Sequence, residues 1–267
     1  MKPQQATLVY FSPTGSSRRI AMEICKAMRI AVVSHLDLTR LLPRRTPITI
    51  TTDLVIIGAP VYEEFLPKEF VSAIQNITFN CTIAVGFSVY GNIGFGRSLK
   101  QLHALLEQKG LQVVALGAFI GEHSFSTKQT PLARGRPDAQ DLQTIGTFAQ
   151  QALARIHGQQ PPLDSSLIPS SIPLFAYLMP KNSARWLTKA PVVNNSCTAC
   201  GACVRNCPMQ AIKPVPELSI DTNACIRCFA CVRICPAQAR RIEFTLPRIV
   251  AAVFRKSNRI RKEPFLL

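Results

Sequence analysis

The sequence predicts an α/β protein in which a doubly wound, parallel five-stranded sheet is followed by a small α+β domain rich in cysteine. Over residues 1–157, apolar runs rich in Val and Ile alternate with helical patterns, as in right-handed βαβ units whose parallel strands are covered on both faces. After a proline-rich stretch, eight of the ten cysteines fall between Cys197 and Cys235. The 267 residues are enough for two such domains.

The individual elements of the first domain follow from these runs. Buried strands are predicted at 7–11, 53–59, 81–89 and 113–120, with a fifth strand near 30–36. Helices are predicted at 17–28, 67–76, 96–109 and 137–157, because each segment has helical length and begins at a plausible start signal such as Pro67 or Pro137. We therefore place a first domain at 1–157.

The remaining chain divides into a linker, a cysteine domain and a tail. Prolines throughout 158–191 exclude a long helix or a central strand there. We interpret this stretch as a linker whose apolar side chains pack on a neighbouring domain, and the alternative is that it forms part of a substrate or membrane site. These apolar side chains are Leu174, Phe175, Tyr177, Leu178 and Trp186. The cysteine domain is expected at 192–240, and a basic tail at 241–267.

The cysteine domain is an internal repeat. Each half reads C-x2-C-x2-C-x3-C-P, and the second half lies 28 residues after the first. Zinc sites typically use two cysteine pairs separated by a longer loop, so an iron-sulfur cubane fits this spacing better. Disulfides are not expected, because they are rare in reducing compartments. Cys25 and Cys81 lie outside the repeat and are expected to be buried core thiols.

With this motif, residues 192–240 resemble a bacterial-type dicluster ferredoxin domain. In two-cluster ferredoxins the fourth cysteine of each run ligates the other cluster. The resemblance therefore implies two 4Fe-4S clusters and one-electron transfer. One cluster would be held by Cys197, Cys200, Cys203 and Cys235, and the other by Cys225, Cys228, Cys231 and Cys207.

Three loops at the carboxyl ends of predicted strands form a candidate ligand site, since ligands of open parallel sheets bind at this edge. The first loop opens a helix, and its hydroxyls and free backbone N–H groups suit a phosphate; its candidates are Ser12, Thr14, Gly15, Ser16 and Ser17. The second loop contains Pro60, Val61 and Tyr62. The third contains Ser88, Tyr90, Gly91 and Asn92.

A phosphate loop flanked by two tyrosine loops resembles the flavodoxin family, over about residues 5–157. The resemblance implies FMN, with its phosphate in the first loop and its ring between the other two, where Tyr62 and Tyr90 would stack on or edge the ring. Ser16 stands where that family often has asparagine. The alternative is that the fold persists without flavin and the tyrosines only cover the sheet. His123 follows the last strand, and we expect an ordinary hydrogen-bonded histidine there.

The whole chain resembles flavodoxin-ferredoxin fusion proteins, which implies electron transfer between two 4Fe-4S clusters, FMN and a redox protein partner. Two alternatives stay open. One is an FMN-dependent reductase of a small molecule that uses the clusters as its electron inlet, and the other is a flavin-free ferredoxin whose first domain only docks partners. No Ser/His/Asp or paired-carboxylate pattern supports hydrolysis, and no catalytic residue is assigned.

The charge balance bears on partners. Thirty-one Lys and Arg against 15 Asp and Glu give a net charge of +16, which favours an acidic redox partner. No basic stripe is interleaved with aromatic residues, so nucleic acid is not expected. The tail at 249–262 would allow membrane-surface contact as an amphipathic helix, the alternative being a helix packed on the domain. Without an export signal or an apolar run of roughly 18 residues, we expect a cytoplasmic protein.

Overall fold

The structure, a computed structural model, describes residues 3–40, 47–172, 182–214 and 216–267. Of the predicted linker contacts, those of Leu174, Phe175, Tyr177 and Leu178 lie outside the described residues. None of the described helices is long and apolar enough to cross a membrane.

Six strands form the main sheet, in the order β2-β1-β4-β6-β7-β8. In chain order the strands are β1 (Gln5–Tyr10), β2 (Ala31–Asp37), β3 (Ile48–Ile50), β4 (Leu54–Pro60), β5 (Ile77–Phe79), β6 (Ile83–Tyr90), β7 (Gln112–Ile120) and β8 (Phe265–Leu266). The short strands β3 and β5 pair separately. All neighbours up to β7 are parallel, and these five strands have the 2-1-3-4-5 order of a flavodoxin-like sheet.

The predicted parallel five-stranded sheet is confirmed, and one strand is added to it. The C-terminal β8 pairs antiparallel with β7, where the backbone N–H of Leu267 donates to the carbonyl of Leu116 at 2.8 Å. A strand of two residues leaves no periodic signal in the sequence, so β8 is not predictable from the sequence pattern.

Four helices cover the two faces of the sheet, as predicted: α1 (Ser16–Met28), α2 (Lys68–Gln75), α3 (Ser98–Gln108) and α4 (Ala139–Ile156). Successive residues of β1 point to opposite faces. Leu8 packs in the core beneath α1 and α4, whereas Val9 packs in the core beneath α2 and α3. Cys25 and Cys81 are buried in these two cores, as expected.

The described residues after α4 form four further helices: α5 (Ser183–Leu187), α6 (Ala202–Arg205), α7 (Ala230–Arg233) and α8 (Pro247–Asn258). A third apolar cluster joins them to the first domain. In it Phe125, from the loop after β7, meets Phe229 edge to face with ring centroids 5.1 Å apart, and Val250 and Phe254 of α8 close the cluster. The cysteine segment and the tail therefore pack directly on the α/β domain.

The expectation that Trp186 packs on a neighbouring domain is wrong, because this side chain is 67% exposed. Its helix α5 packs inward through Ala184 and Leu187 instead. A helix of five residues can bury only one side, and Trp186 lies on the other.

Candidate functional site

The eight repeat cysteines separate into two sets of four, each around its own cavity. The first cavity is lined by three cysteines of the first run and the last cysteine of the second run, namely Cys197, Cys200, Cys203 and Cys235. The second cavity is lined by three cysteines of the second run and the last cysteine of the first run, namely Cys225, Cys228, Cys231 and Cys207. The structure thus brings together the two sets that the resemblance implies, including the exchange of the fourth cysteines.

The two runs fold alike because their backbones turn at equivalent positions. Residues with positive φ recur 28 positions apart, as at Gly201 (φ 70°) and Phe229 (φ 57°), which directly precede α6 and α7. Left-handed residues of this kind turn consecutive backbone N–H groups toward one side, where they suit an anionic group. The short loops therefore wrap thiols and amides around a common centre.

Backbone amides point at the sulfur atoms of both fourth cysteines. The N–H of Ala211 donates to Cys207 Sγ at 3.3 Å, and the N–H of Ala239 donates to Cys235 Sγ at 3.2 Å. Such hydrogen bonds stabilise thiolate over thiol and tune the potential of a metal centre held there. Within the described residues, no three His, Cys, Asp or Glu side chains are placed to hold a single metal ion.

The two cavities differ in their access to solvent. Cys200, in the first set, is exposed, and a hydrogen bond from the backbone N–H of Ala202 is the main cause that lowers the pKa of its thiol. Cys228 and Cys231, in the second set, are buried, and burial raises the pKa of Cys231 to about 12. The first cavity is therefore the outer one and the second the inner one.

The inner cavity lies against the carboxyl edge of the α/β sheet. Burial raises the pKa of Tyr62, in the loop after β4, and the nearby Cys228 raises it further. Arg233 of α7 donates to the carbonyls of His123 and Ser126 at 3.2 and 2.9 Å, and forms an ion pair with Glu122 at 3.2 Å. The loop after β7 thus holds α7, which carries Cys231 of the inner set, and Tyr62 of the loop after β4 lies near Cys228.

The first loop has the features of a phosphate site. Gly15 precedes α1 with φ 90°, and a Cβ there would meet nothing within 4 Å. The hydroxyl of Ser12 accepts from the backbone N–H of Arg18 at 3.0 Å. Among the described residues, the backbone N–H groups of Ser16 and Ser17 have no acceptor, so two free donors stand at the positive end of a 13-residue helix. Thr14 is partly buried beside them.

The second loop is a tight turn directly after β4. Val61 donates from its backbone N–H to Val89 at 2.8 Å, and Tyr62 and Phe65 exchange two backbone hydrogen bonds across Glu63 and Glu64, which both have positive φ. The turn follows Pro60 and holds Tyr62 at the sheet edge. Sequence reasoning missed Glu63, whose carboxylate accepts from Asn182, Ser183 and Ala184 at the start of α5 at 2.9–3.2 Å. No sequence signal indicates this contact, because the partners of Glu63 lie 119–121 positions away along the chain.

The third loop is covered by the C-terminal segment. Ser88 is fully buried and accepts a hydrogen bond from Ser98 at 3.1 Å, so it offers no surface to a ligand. The Tyr90 hydroxyl donates to the carbonyl of Glu263 at 3.3 Å. The side chain of Asn92 donates to the carbonyls of Ser257 and Ile260 at 2.8 and 3.0 Å, and accepts from Lys262. Of the two tyrosines expected at the flavin ring, Tyr90 is therefore already engaged by the C-terminal segment.

Gly91 and His123 meet at the base of the third loop. A Cβ on Gly91 would lie 2.3 Å from the His123 ring, so the close approach requires glycine. His123 Nδ1 accepts from the backbone N–H of Phe125 at 3.0 Å, which confirms the expected ordinary hydrogen-bonded histidine. Its ring also packs on Phe254 of α8, with centroids 5.4 Å apart.

Folding should become less favourable as the pH falls from about 6.5 to about 4, because of His123. Burial, assisted by Arg233, lowers its pKa to about 4. The unfolded chain, with an ordinary histidine pKa near 6.5, binds more protons in this interval, so stability is full above it and declines below it by about 3 kcal/mol. Urea unfolding measured at several pH values should show that the free energy of unfolding of His123→Asn changes less with pH than that of the parent. The exposed His157→Asn is the control and should follow the parent. Parallel profiles for all three proteins would contradict this assignment.

Comparisons with known proteins agree with this architecture. Residues 196–239 match the family described as 4Fe-4S dicluster domain, which implies 4Fe-4S clusters in this part of the chain. No curated protein matches the sequence.

Several solved structures are similar to part of the chain. Oxidised flavodoxin 1 from Bacillus cereus is 18% identical, with 56% of this chain and 97% of that chain covered and a TM-score of 0.38. A Fusobacterium nucleatum flavodoxin mutant bound to flavin mononucleotide is 14% identical, with 57% and 97% covered and a TM-score of 0.40. Rubredoxin oxygen:oxidoreductase from Desulfovibrio gigas is 15% identical, with 59% of this chain but only 37% of that longer chain covered and a TM-score of 0.37.

The fold class of the N-terminal part rests on its strand order. That flavodoxin-like sheet and the dicluster match at 196–239 together fit a flavodoxin-ferredoxin fusion.

Proposed function

We propose that this protein carries single electrons between two 4Fe-4S clusters, held by the eight repeat cysteines, and an FMN held at the carboxyl edge of the sheet. Bound clusters of this type exchange one electron each, and a flavin exchanges one or two. The observation that carries the proposal is the separation of eight cysteines into two four-cysteine cavities, of which the inner one adjoins the loop that bears Tyr62.

The chain offers a protein environment suited to each cluster. Four sulfur atoms surround each cavity, backbone amides of Ala211 and Ala239 donate to two of them, and α7 fixes the inner set on the α/β domain. The exposed Cys200 lies at the outer cavity, with Arg205, the last residue of α6, near it. An acidic redox protein would approach this rim, in keeping with the net charge of +16.

The first loop would hold the FMN phosphate. The free N–H groups of Ser16 and Ser17, the dipole of α1 and the hydroxyls of Ser12 and Thr14 together favour a dianion. In a sheet of this order, the ligand crevice opens between β1 and its neighbour β4, where the strand order reverses. Tyr62 stands on the β4 side of that crevice, so it is the tyrosine we assign to the flavin ring. The close approach of His123 to Gly91 leaves little space at the base of the third loop.

One observation favours a second function, a flavin-free ferredoxin whose α/β domain serves only as a docking platform. The C-terminal segment already occupies Tyr90 and Asn92, which would otherwise face a ring. The two functions differ in cofactor content. An FMN-dependent reductase of a small molecule would show itself differently, through stoichiometric reoxidation of the reduced protein by its substrate.

Anaerobic purification followed by iron, sulfide and flavin analysis tests the proposal. We expect about eight irons and one FMN per chain, with both centres reduced in a titration by dithionite. Iron without flavin, after attempted reconstitution with FMN, would favour the docking-platform function. Fewer than eight irons after reconstitution with iron and sulfide would contradict the paired-cluster assignment.

Introducing a carboxylate into the first loop should weaken FMN binding. Ser16→Asp places a negative charge beside the two free amides, so it should raise the dissociation constant at least about tenfold by repulsion and by competition for those donors. Quenching of flavin fluorescence during titration of flavin-depleted protein measures this. Ser165→Asp makes the same change at the start of a short exposed 3-10 turn and should leave affinity unchanged. Equal affinity of both variants would place the phosphate elsewhere.

A further inference from the structure

An apolar stripe with basic flanks lies on the outer side of the tail. Helix α8 turns Val250 and Phe254 into the third apolar cluster, whereas Ile249 and Val253, four residues apart on another side, are 56% and 47% exposed. Leu246, immediately before the helix, is 48% exposed. These three side chains form one row, since positions separated by three and four residues share a helix face.

Trp186 extends this row beyond the helix. The backbone N–H of Thr245 donates to the carbonyl of Leu187 at 3.0 Å, and Thr188 pairs with Phe244, so the segments that bear Trp186 and Leu246 run side by side. We call Trp186, Leu246, Ile249 and Val253 the apolar row. Monomeric proteins rarely expose several large apolar side chains together without a partner.

Basic side chains flank the apolar row along the tail. Between Glu243 and Glu263 the chain carries six basic residues and no acidic one. Arg261 is paired with Asp138 and Glu263. The others, Arg248, Arg255, Lys256, Arg259 and Lys262, form no ion pair among the described residues, and all are exposed. The partner of this surface therefore has an apolar layer bordered by negative charge.

We propose that the apolar row docks this protein on an anionic lipid surface, with α8 lying in the plane of the headgroups. The apolar side chains would enter the acyl boundary, Trp186 would sit at headgroup level as interfacial tryptophans do, and the basic flanks would meet the anionic headgroups. An acidic protein would satisfy the charges, but it would need an apolar patch matched to all four exposed side chains, whereas an anionic bilayer presents an apolar layer beneath negative charge everywhere. This inference goes beyond the electron-transfer proposal and does not depend on either cofactor.

The experiment uses the whole chain of 267 residues with its cofactors, purified anaerobically. Flotation with phosphatidylcholine vesicles, with and without phosphatidylglycerol, measures binding. Trp186 is the only tryptophan of the chain, so its emission reports directly on entry of the row into the bilayer. We expect binding and a blue shift with anionic vesicles, and much weaker binding with neutral ones.

Two double variants separate the contribution of the apolar side chains from that of the basic side chains. Ile249→Ser with Val253→Ser should reduce binding at least about tenfold by removing apolar contact, and Arg255→Gln with Lys256→Gln should reduce it about tenfold by removing headgroup attraction. Leu167→Ser, 60% exposed on another surface, is the matched control and should bind like the parent. All these positions are exposed, so an unchanged cofactor spectrum confirms folding.

Three outcomes would overturn the proposal: no flotation of the parent with anionic vesicles, equal flotation with neutral vesicles, or retention of binding by the Ile249→Ser, Val253→Ser variant. Capture of an acidic protein by this surface without vesicle binding falls under the first of these.

Discussion

Replacing Cys235 with serine should remove the cluster of the outer cavity, although Cys235 lies in the second cysteine run. The structure places its sulfur with Cys197, Cys200 and Cys203. Serine oxygen is a poor substitute for thiolate in binding iron, so iron content should fall from about eight to about four per chain, and one of two spectroscopic signatures of the reduced protein should disappear.

Comparison with two reference variants identifies which cluster is lost. Cys200→Ser removes a cysteine that lines the outer cavity, and Cys228→Ser removes one that lines the inner cavity. The paramagnetic signal that remains in Cys235→Ser should match that of Cys200→Ser. A match with Cys228→Ser would show that each run binds its own cluster and would refute the exchange of fourth cysteines.

Cys81→Ser provides the matched control. Cys81 is buried in the core beneath α2 and α3, away from both cavities, and should retain the full iron content. Cys207→Ser is the mirror experiment, and we expect the signal that remains there to match that of Cys228→Ser.

Replacing Asp141 with alanine should lower the free energy of unfolding by about 3–5 kcal/mol, because it leaves a buried arginine without its counter-charge. Asp141 is 1% exposed and accepts from Arg136 Nε at 2.7 Å and again from its terminal nitrogen. It also accepts from the backbone N–H of Asp138 at 2.9 Å, which completes the capping box of α4. The change therefore removes an ion pair and a helix cap together.

The same change should also loosen the C-terminal segment. Arg136 donates to the carbonyl of Lys262 at 2.8 Å, and Arg261 bonds Asp138 through two nitrogens at 2.7 and 3.0 Å and reaches Asp141 at 3.4 Å. Without Asp141, trypsin should cleave after Arg259, Arg261 or Lys262 faster than in the parent.

Urea unfolding followed by far-ultraviolet circular dichroism measures the stability of this variant. Asp164→Ala is the control, since the exposed Asp164 caps only a short 3-10 turn through Ser166. A stability loss in Asp141→Ala no larger than that of Asp164→Ala, with unchanged tryptic cleavage, would mean that the Arg136 pair does not hold the tail.

The elements of the α/β domain were accessible from sequence because their signals are local. The run at 113–120 is apolar throughout because β7 is covered on both faces, and its strand extends over Gln112–Ile120. The helix predicted at 137–157 is α4, where Asp138 supplies the cap. The site loops follow from the same signals, since a loop after a predicted parallel strand must lie at the sheet's carboxyl edge.

The contacts made by Trp186 and Asn92 show where local signals end. A large aromatic residue in a proline-rich linker is usually buried, and nothing near Trp186 in the sequence indicates that α5 would turn Ala184 and Leu187 inward instead. Asn92 was recognised as a loop residue, but its three hydrogen bonds go to residues 165–170 positions away. Tertiary packing determines such partners, and the hydrophobic periodicity of the sequence does not indicate them.

The sequence by itself determined the order of the five parallel strands and the four helices that cover them, the two-run cysteine repeat and the phosphate-suited loop that opens α1, because each depends on residues a few positions apart. Tertiary structure alone decided that Cys228 of the inner set lies near Tyr62, that the C-terminal segment covers Tyr90 and adds β8 to the sheet, and that Ile249 and Val253 face outward. These features depend on which surfaces meet, and distant segments meet only where burial and paired hydrogen bonds outweigh the entropy of ordering the chain between them.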